Sequence, residues 1–217
     1  MDWQLYLPFW NDLSTSEQDV LKDNCFEMKY PGGTPLTDGD NCSGLMIIKQ
    51  GKVRVYTLSD EGKEITLYRL YNYDLCLLSS SCIFNSITFD TMIDTEEETT
   101  IVWIPTKIYD NLMKTSISVS NYTNELMADR FSEVMWVLDQ VLSKKMDQRI
   151  AAFLIEEADY QQSDHLELTH DKIARHLGTA REVISRLLRY FQKEEMIDVS
   201  RKSIDITDRK KLEALLK

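Results

Sequence analysis

No histidine occurs before position 165 in this chain of 217 residues. A barrel enzyme that grips its metal with several histidines and a carboxylate cannot be built in its usual form from such a stretch. Ser-His-Asp arrangements, phosphate-binding loops and paired-carboxylate motifs are missing as well, so an enzyme is not expected. Cysteine is scarce: Cys25, Cys42, Cys76 and Cys82 are the four, and none stands in a CxxC pair. A structural zinc site is therefore not expected. No run approaches the roughly 20 apolar residues of a membrane span. The opening MDWQLYLPFWND has neither a basic n-region nor a cleavage-site pattern, so a cytoplasmic location and reduced thiols are expected. Net positive charge is lacking too: the formal charge is −11, which argues against a general coat for nucleic acid.

What is present is unevenly spread. Residues 1–145 hold 12 Lys/Arg against 22 Asp/Glu, a net of −10, whereas residues 146–217 hold 13 against 14, a net of −1, and all three histidines. Any contact with phosphate is therefore expected from the C-terminal part. The 43 % hydrophobic content suffices for a real core, and the length suits two domains.

Residues 1–24 read as helical, with Leu13, Val20 and Leu21 apolar and Ser14 placed to cap before Glu17 at capping-box spacing. From about Cys25 to Pro105 the pattern changes to short β-type runs broken by turn residues. Leu45 to Lys49, Val53 to Leu58, Glu64 to Leu70 and Thr99 to Ile104 are the clearest strands. Closely spaced strands with hairpin turns predict an antiparallel barrel or jelly roll. Beyond Pro105 the chain turns helical. Met127, Phe131, Val134, Leu138 and Val141 recur at intervals of four, three, four and three, an a/d seam. Tyr122, Leu126, Met135, Trp136, Val137 and Leu142 form a second apolar set. A helix apolar on two sides needs two partners. The β domain and the same helix of a second copy are the expected ones; packing against its own β domain alone is the alternative.

The segment LTHDKIARHLGTAREVISRLLRYFQKEEMI, from Leu168 to Ile197, holds two helical patterns around Gly178. In the first, Thr169 is the candidate N-cap and Ile173, Ala174 and Leu177 face inward. Thr179 is expected to open the second, whose Val183, Ile184, Leu187, Leu188 and Phe191 form a buried stripe opposite Arg181, Glu182, Ser185, Arg186 and Arg189. Between Arg181 and Lys193 stand four cations and one anion. This is the layout of a helix-turn-helix that offers its second helix to the DNA major groove, although helical hairpins without DNA function share the pattern. Ile197 to Val199 and Ser203 to Ile206 alternate around Arg201-Lys202 as a small wing, and Asp208 caps a final helix.

The order of these parts resembles the Crp/Fnr family of bacterial transcription regulators over nearly the whole length. LTHDKIARHLGTAREVISRLL, IIKQGKVRVYTLSDEGKEITLYRL and IVWIP carry the likeness. The resemblance implies an α+β chain: a cyclic-nucleotide-binding-like β jelly roll as sensor domain (1–115), a dimerisation helix (116–144) and a winged helix-turn-helix (145–217). It further implies a homodimer on a palindromic operator in double-stranded DNA, with RNA polymerase as a further partner and no membrane. Glu182 and Arg186 match the residues that family members use to read bases. A Glu carboxylate accepts from cytosine N4 and an Arg fork donates to guanine O6 and N7. Ser185 matches the serine of the E-x-x-S-R motif in oxygen-responsive members, and Arg181 the first arginine of the cyclic-AMP type. A shared TGA core is thus implied, with the flanking base open between the two types. Thr169, Thr179, Arg201 and Lys202 are expected on DNA as well, the last three at phosphates. Thr179 and Glu182 also have capping-box spacing, an alternative use of the carboxylate.

The effector segment departs from the family. Cyclic-nucleotide-binding members carry a Gly-Glu pair and, downstream, an Arg for the cyclic phosphate. The corresponding YNYDLCLLSSSCIFNSITFDTMIDTEEE has no Gly and no Arg. A buried phosphodiester without a cation costs several kcal/mol, so cyclic AMP is not the expected effector. Cys76, Ser79, Ser80, Ser81 and Cys82 stand there instead, offering hydroxyls and thiols to a small ligand, a redox signal or haem. The haem-sensing type needs a histidine as replacement ligand, and none precedes His165. The bland alternative is that Cys76 and Cys82 are buried small hydrophobes. An iron–sulfur cluster of the family's N-terminal kind is not expected, because Cys25 stands alone. A module acting only through protein partners, with a degenerate helix-turn-helix, and a cupin-like enzyme are the other function classes; the intact basic face and the missing histidines argue against them.

Overall fold

The computed structural model describes residues 2–36, 44–77 and 91–216. They form two compact units, one of Met1–Thr57 with Leu67–Val134, the other of Leu58–Thr66 with Met135–Lys217.

The first unit opens with a short helix α1 (Trp3–Tyr6), a 3₁₀ turn (Trp10–Asp12) and α2 (Thr15–Asn24). The expected capping box is formed: Ser14 Oγ accepts from the Glu17 amide and Glu17 Oε2 accepts from the Ser14 amide, at 3.3 and 2.9 Å. Strands β1 (Phe26–Tyr30), β2 (Leu45–Gln50), β3 (Val53–Leu58), β4 (Glu64–Leu70), β5 (Leu75–Cys76), β6 (Met92–Thr95) and β7 (Thr99–Ile104) follow. They make a four-stranded sheet in the order β1-β7-β2-β5 and a three-stranded sheet in the order β4-β3-β6. The pairings β1–β7, β2–β7, β2–β5 and β3–β6 are antiparallel. All four strands read from sequence are present; β1, a largely exposed edge strand, the two-residue β5 and β6 are additional to them.

The side chains of β2 alternate between two cores. Leu45 and Ile47 join Leu75, Val102, Ile104, Tyr109 and the N-terminal Leu7, Phe9 and Trp10. Met46 and Ile48 face Val53, Val55, Tyr68, Ile93 and Trp103. A strand buried on both faces reads as a continuous apolar run, as LMII does. Gly51 turns β2 into β3 at φ +110°, and a Cβ there would lie 2.8 Å from the Glu98 carbonyl oxygen.

Helix α3 (Thr106–Thr115) precedes α4 (Ile117–Ser143), whose 27 residues span about 40 Å. Of its seam, Met127 and Val134 pack against the apolar clusters of the first unit. Phe131, Leu138 and Val141 are 67 %, 46 % and 38 % exposed, and Trp136 and Leu142 are exposed too.

In the second unit, α5 (Met146–Gln161), α6 (His170–Leu177), α7 (Arg181–Lys193) and α8 (Arg209–Leu215) enclose one core with a small sheet. That sheet holds β8 (His165–Leu166), β9 (Ile197–Val199) and β10 (Ile204–Ile206) in the order β8-β10-β9. The wing hairpin is therefore as read from sequence, with β8 added. Asp208 caps α8 by accepting from the Lys211 amide at 3.1 Å.

Candidate nucleic-acid interface

The placement of α7 begins with apolar periodicity. Ile184, Leu188 and Phe191 are fully buried against Ile150, Phe153 and Leu154 of α5, Ile173 and Leu177 of α6, and the wing residues Ile197 and Ile204. Val183 and Leu187 are half-buried. Fastening one face fixes the other: Arg181, Glu182, Arg186 and Arg189 lie exposed, and Ser185 is half-buried beside them.

The turn before α7 is built from backbone. Thr169 caps α6, its hydroxyl accepting from the Lys172 amide at 3.2 Å. Gly178 ends α6 in the left-handed region at φ +68°. Arg149 of α5 donates to the carbonyl of Leu177 at 2.8 Å, a cation at a helix C-terminus.

One expectation fails here. Thr179 does not open α7: Ala180 is the N-cap, with no side-chain cap, and Arg181 is the first helical residue. The Thr179 amide is already committed to the Ala174 carbonyl of α6 at 3.0 Å, so Thr179 closes one helix rather than starting the next. Glu182 consequently takes the second helical position, and a capping box with Thr179 is ruled out. The carboxylate is exposed in the first turn, where the helix dipole favours an anion.

Arg201 and Lys202 lie exposed in the turn between β9 and β10. The first turn of α6 touches α7 twice. His170 Nδ1 is 2.8 Å from Ser185 Oγ, and Asp171 Oδ2 is 3.7 Å from Arg181 Nε. Both contacts were missed from sequence, because the partners stand 15 and 10 positions apart.

In the first unit, Cys76 is buried on β5, paired with Met46 of β2. Ser79, Ser80, Ser81 and Cys82 lie outside the described residues. Burial pushes the Cys25 thiol up to about 12, away from reactive thiolate. Among the described residues no group of three or more His, Cys, Asp or Glu is placed to hold a metal. A feature the sequence did not signal is a buried ionic cluster. Arg54 Nη2 lies 2.8 Å from Asp94 Oδ2, while Arg69 Nε and Lys52 Nζ lie 2.9 and 3.4 Å from Glu96 Oε2. No helix of the described residues is long and apolar enough to cross a membrane.

Residues 148–215 match the Crp-like helix-turn-helix domain. The chain is 30 % identical to the fumarate and nitrate reduction regulatory protein of Vibrio cholerae, covering 96 % of this chain and 85 % of that one. A crystal structure of a transcriptional regulator of the Crp/Fnr family from Eubacterium rectale superimposes with a TM-score of 0.94 at 49 % identity, covering 97 % of this chain and 98 % of the other. A CooA mutant from Carboxydothermus hydrogenoformans is also similar, at 25 % identity and a TM-score of 0.69 over 97 % of this chain and 95 % of that one. With antiparallel sheets, a long helix and a helix-turn-helix with its wing sheet in this order, the chain belongs to the Crp/Fnr family of DNA-binding transcription regulators, a non-enzymatic family.

Proposed function

We propose that the chain works as a cytoplasmic homodimer paired through α4, with RNA polymerase as a further partner. Each copy lays α7 into the major groove of one half of a palindromic operator. The observation that carries the base readout is the exposed Arg181, Glu182 and Arg186, with half-buried Ser185 beside them, on a helix whose opposite face is buried. Arg186 donates a fork to guanine, and Glu182 accepts from cytosine in a TGA-containing half-site. Thr179, Arg201 and Lys202 meet the backbone and set register rather than sequence, and Thr169 also lies on DNA. The two half-sites lie about 34–36 Å apart, one helical turn. Binding-site selection from a random duplex library tests this reading; an asymmetric or featureless product would defeat it.

Lys202→Ala is expected to weaken binding to every sequence alike and to lower the slope of log K against log salt by about one. Anisotropy titrations at several salt concentrations measure both effects, and a loss confined to one base would contradict a phosphate contact.

The N-terminal unit takes a signal other than cyclic AMP. Arg54, Arg69 and Lys52, which could in principle meet a phosphate, are each engaged by Asp94 or Glu96 within the protein. An entering phosphodiester would have to displace a carboxylate from its cation in a buried setting. Isothermal titration is expected to show no cyclic-AMP binding at micromolar ligand. Binding accompanied by a gain in DNA affinity would reverse this reading. The burial of Cys76 favours a packing role over a redox or haem-ligating one.

A further inference from the structure

Helix α6 turns its first two residues toward the readout face of α7. His170, its first residue, is half-buried, with Nδ1 2.8 Å from the hydroxyl of Ser185. Asp171 stands 3.7 Å from Arg181. We propose that His170 is a positioning residue that decides which bases Ser185 accepts, by setting whether its hydroxyl hydrogen is free to donate to a base edge. The inference deepens the base-readout reading above and rests on it.

The chemistry follows from the hydrogen count. A serine hydroxyl has one hydrogen to give and two lone pairs to offer. When Nδ1 carries no hydrogen, Ser185 donates its only hydrogen to the ring. Lone pairs alone then remain for the DNA, and they suit cytosine N4 or adenine N6, which donate. When Nδ1 carries a hydrogen, the ring donates to Oγ instead. The hydroxyl hydrogen is then available to guanine O6 or N7 or to thymine O4. Either way the hydroxyl is oriented before DNA arrives, and a proton on Nδ1 frees its hydrogen for donation while leaving one lone pair to accept.

The charged groups acting on His170 are Arg181 and Arg189 of α7 and Asp171 of α6. Burial first, then Arg181, lowers the imidazole below its ordinary 6.5, with Arg189 adding and Asp171 opposing. At neutral pH the ring is therefore uncharged; from its Nε2–H tautomer, acidification adds the hydrogen to Nδ1. The imidazolium form is lost again as pH rises through that lowered value.

Site selection and anisotropy on the whole chain over a descending pH series from 7.5 test this, with wild type, His170→Ala, His170→Asn and Ser185→Ala. Circular dichroism confirms that each variant is folded. Ser185→Ala and His170→Ala are expected to lose preference at the same base position, about tenfold for one base-edge contact. The double variant should be no weaker than the weaker single, since the two act as one unit. His170→Asn keeps a polar atom near the place of Nδ1 and should restore the preference without its pH shift. Wild type should come to accept guanine or thymine at that position once pH falls below the lowered His170 value. A merely structural histidine would lower affinity for all sequences alike and leave the motif intact. A changed motif in Ser185→Ala beside an unchanged one in His170→Ala overturns the positioning role alone. An unchanged motif in Ser185→Ala overturns the base contact of Ser185, and the positioning role with it.

Discussion

Arg186→Ala is expected to cost roughly 1–3 kcal/mol of operator affinity and to flatten the preference for one guanine in each half-site. Arg186 is exposed on α7 and has no ion-pair partner among the described residues, so its fork is available to DNA. Arg181 differs in being drawn toward Asp171 at 3.7 Å. The neighbours of Arg186 along the helix, Ile184 and Leu188, are fully buried and hold the backbone beneath it. Fold stability should therefore change by no more than about 0.5 kcal/mol. Arg186→Lys should also lose specificity, because a point charge cannot donate two parallel hydrogen bonds to O6 and N7. Site selection separates base readout from mere charge. If wild type and Arg186→Ala select the same motif, the proposed role is refuted, whatever the change in affinity.

The second large effect concerns assembly. Phe131→Glu together with Leu138→Glu is expected to yield monomers by light scattering and to reduce operator affinity at least about 100-fold. Of the five seam positions Met127 and Val134 pack within the single chain, whereas Phe131, Leu138 and Val141 leave 67 %, 46 % and 38 % of their surface open. Burying such side chains contributes about 1.5–3 kcal/mol each, so paired seams supply on the order of 10 kcal/mol before entropy is counted. Carboxylates at these positions would face each other across a two-fold axis and repel. Because both side chains are exposed within one copy, the monomer should keep its fold and its circular dichroism spectrum. DNA affinity falls because two linked half-site contacts become two separate ones, a difference of about 10² to 10⁴. A dimer mass unchanged by the double substitution would place the interface elsewhere.

The order of elements was readable because short-range chemistry dictates it. The Ser14–Glu17 box, the Thr169 cap, the left-handed Gly178 and the Asp208 cap are each written within four residues, and each forms. The two faces of α7 follow from a 3.6-residue period, which needs no partner to be recognised. Strands such as LMIIKQ and VRVYTL carry enough β-branched and apolar residues to stand out. By contrast β1 (FEMKY) is exposed along most of its length and becomes a strand through its register with β7.

Packing settles the contacts between groups that stand far apart along the chain. The sequence alone left Glu182 divided between capping and readout; the bond from the Thr179 amide to Ala174 moved the helix start to Arg181 and removed the cap. The pairing of Arg54 with Asp94 and of Arg69 and Lys52 with Glu96 joins positions 27 to 44 apart, a separation to which no spacing rule applies. His170 and Ser185 meet because α6 and α7 share a core, so their hydrogen bond is a product of packing. Local periodicity and caps name the elements, but a side chain's partner across a core is chosen by geometry that no short window of sequence contains.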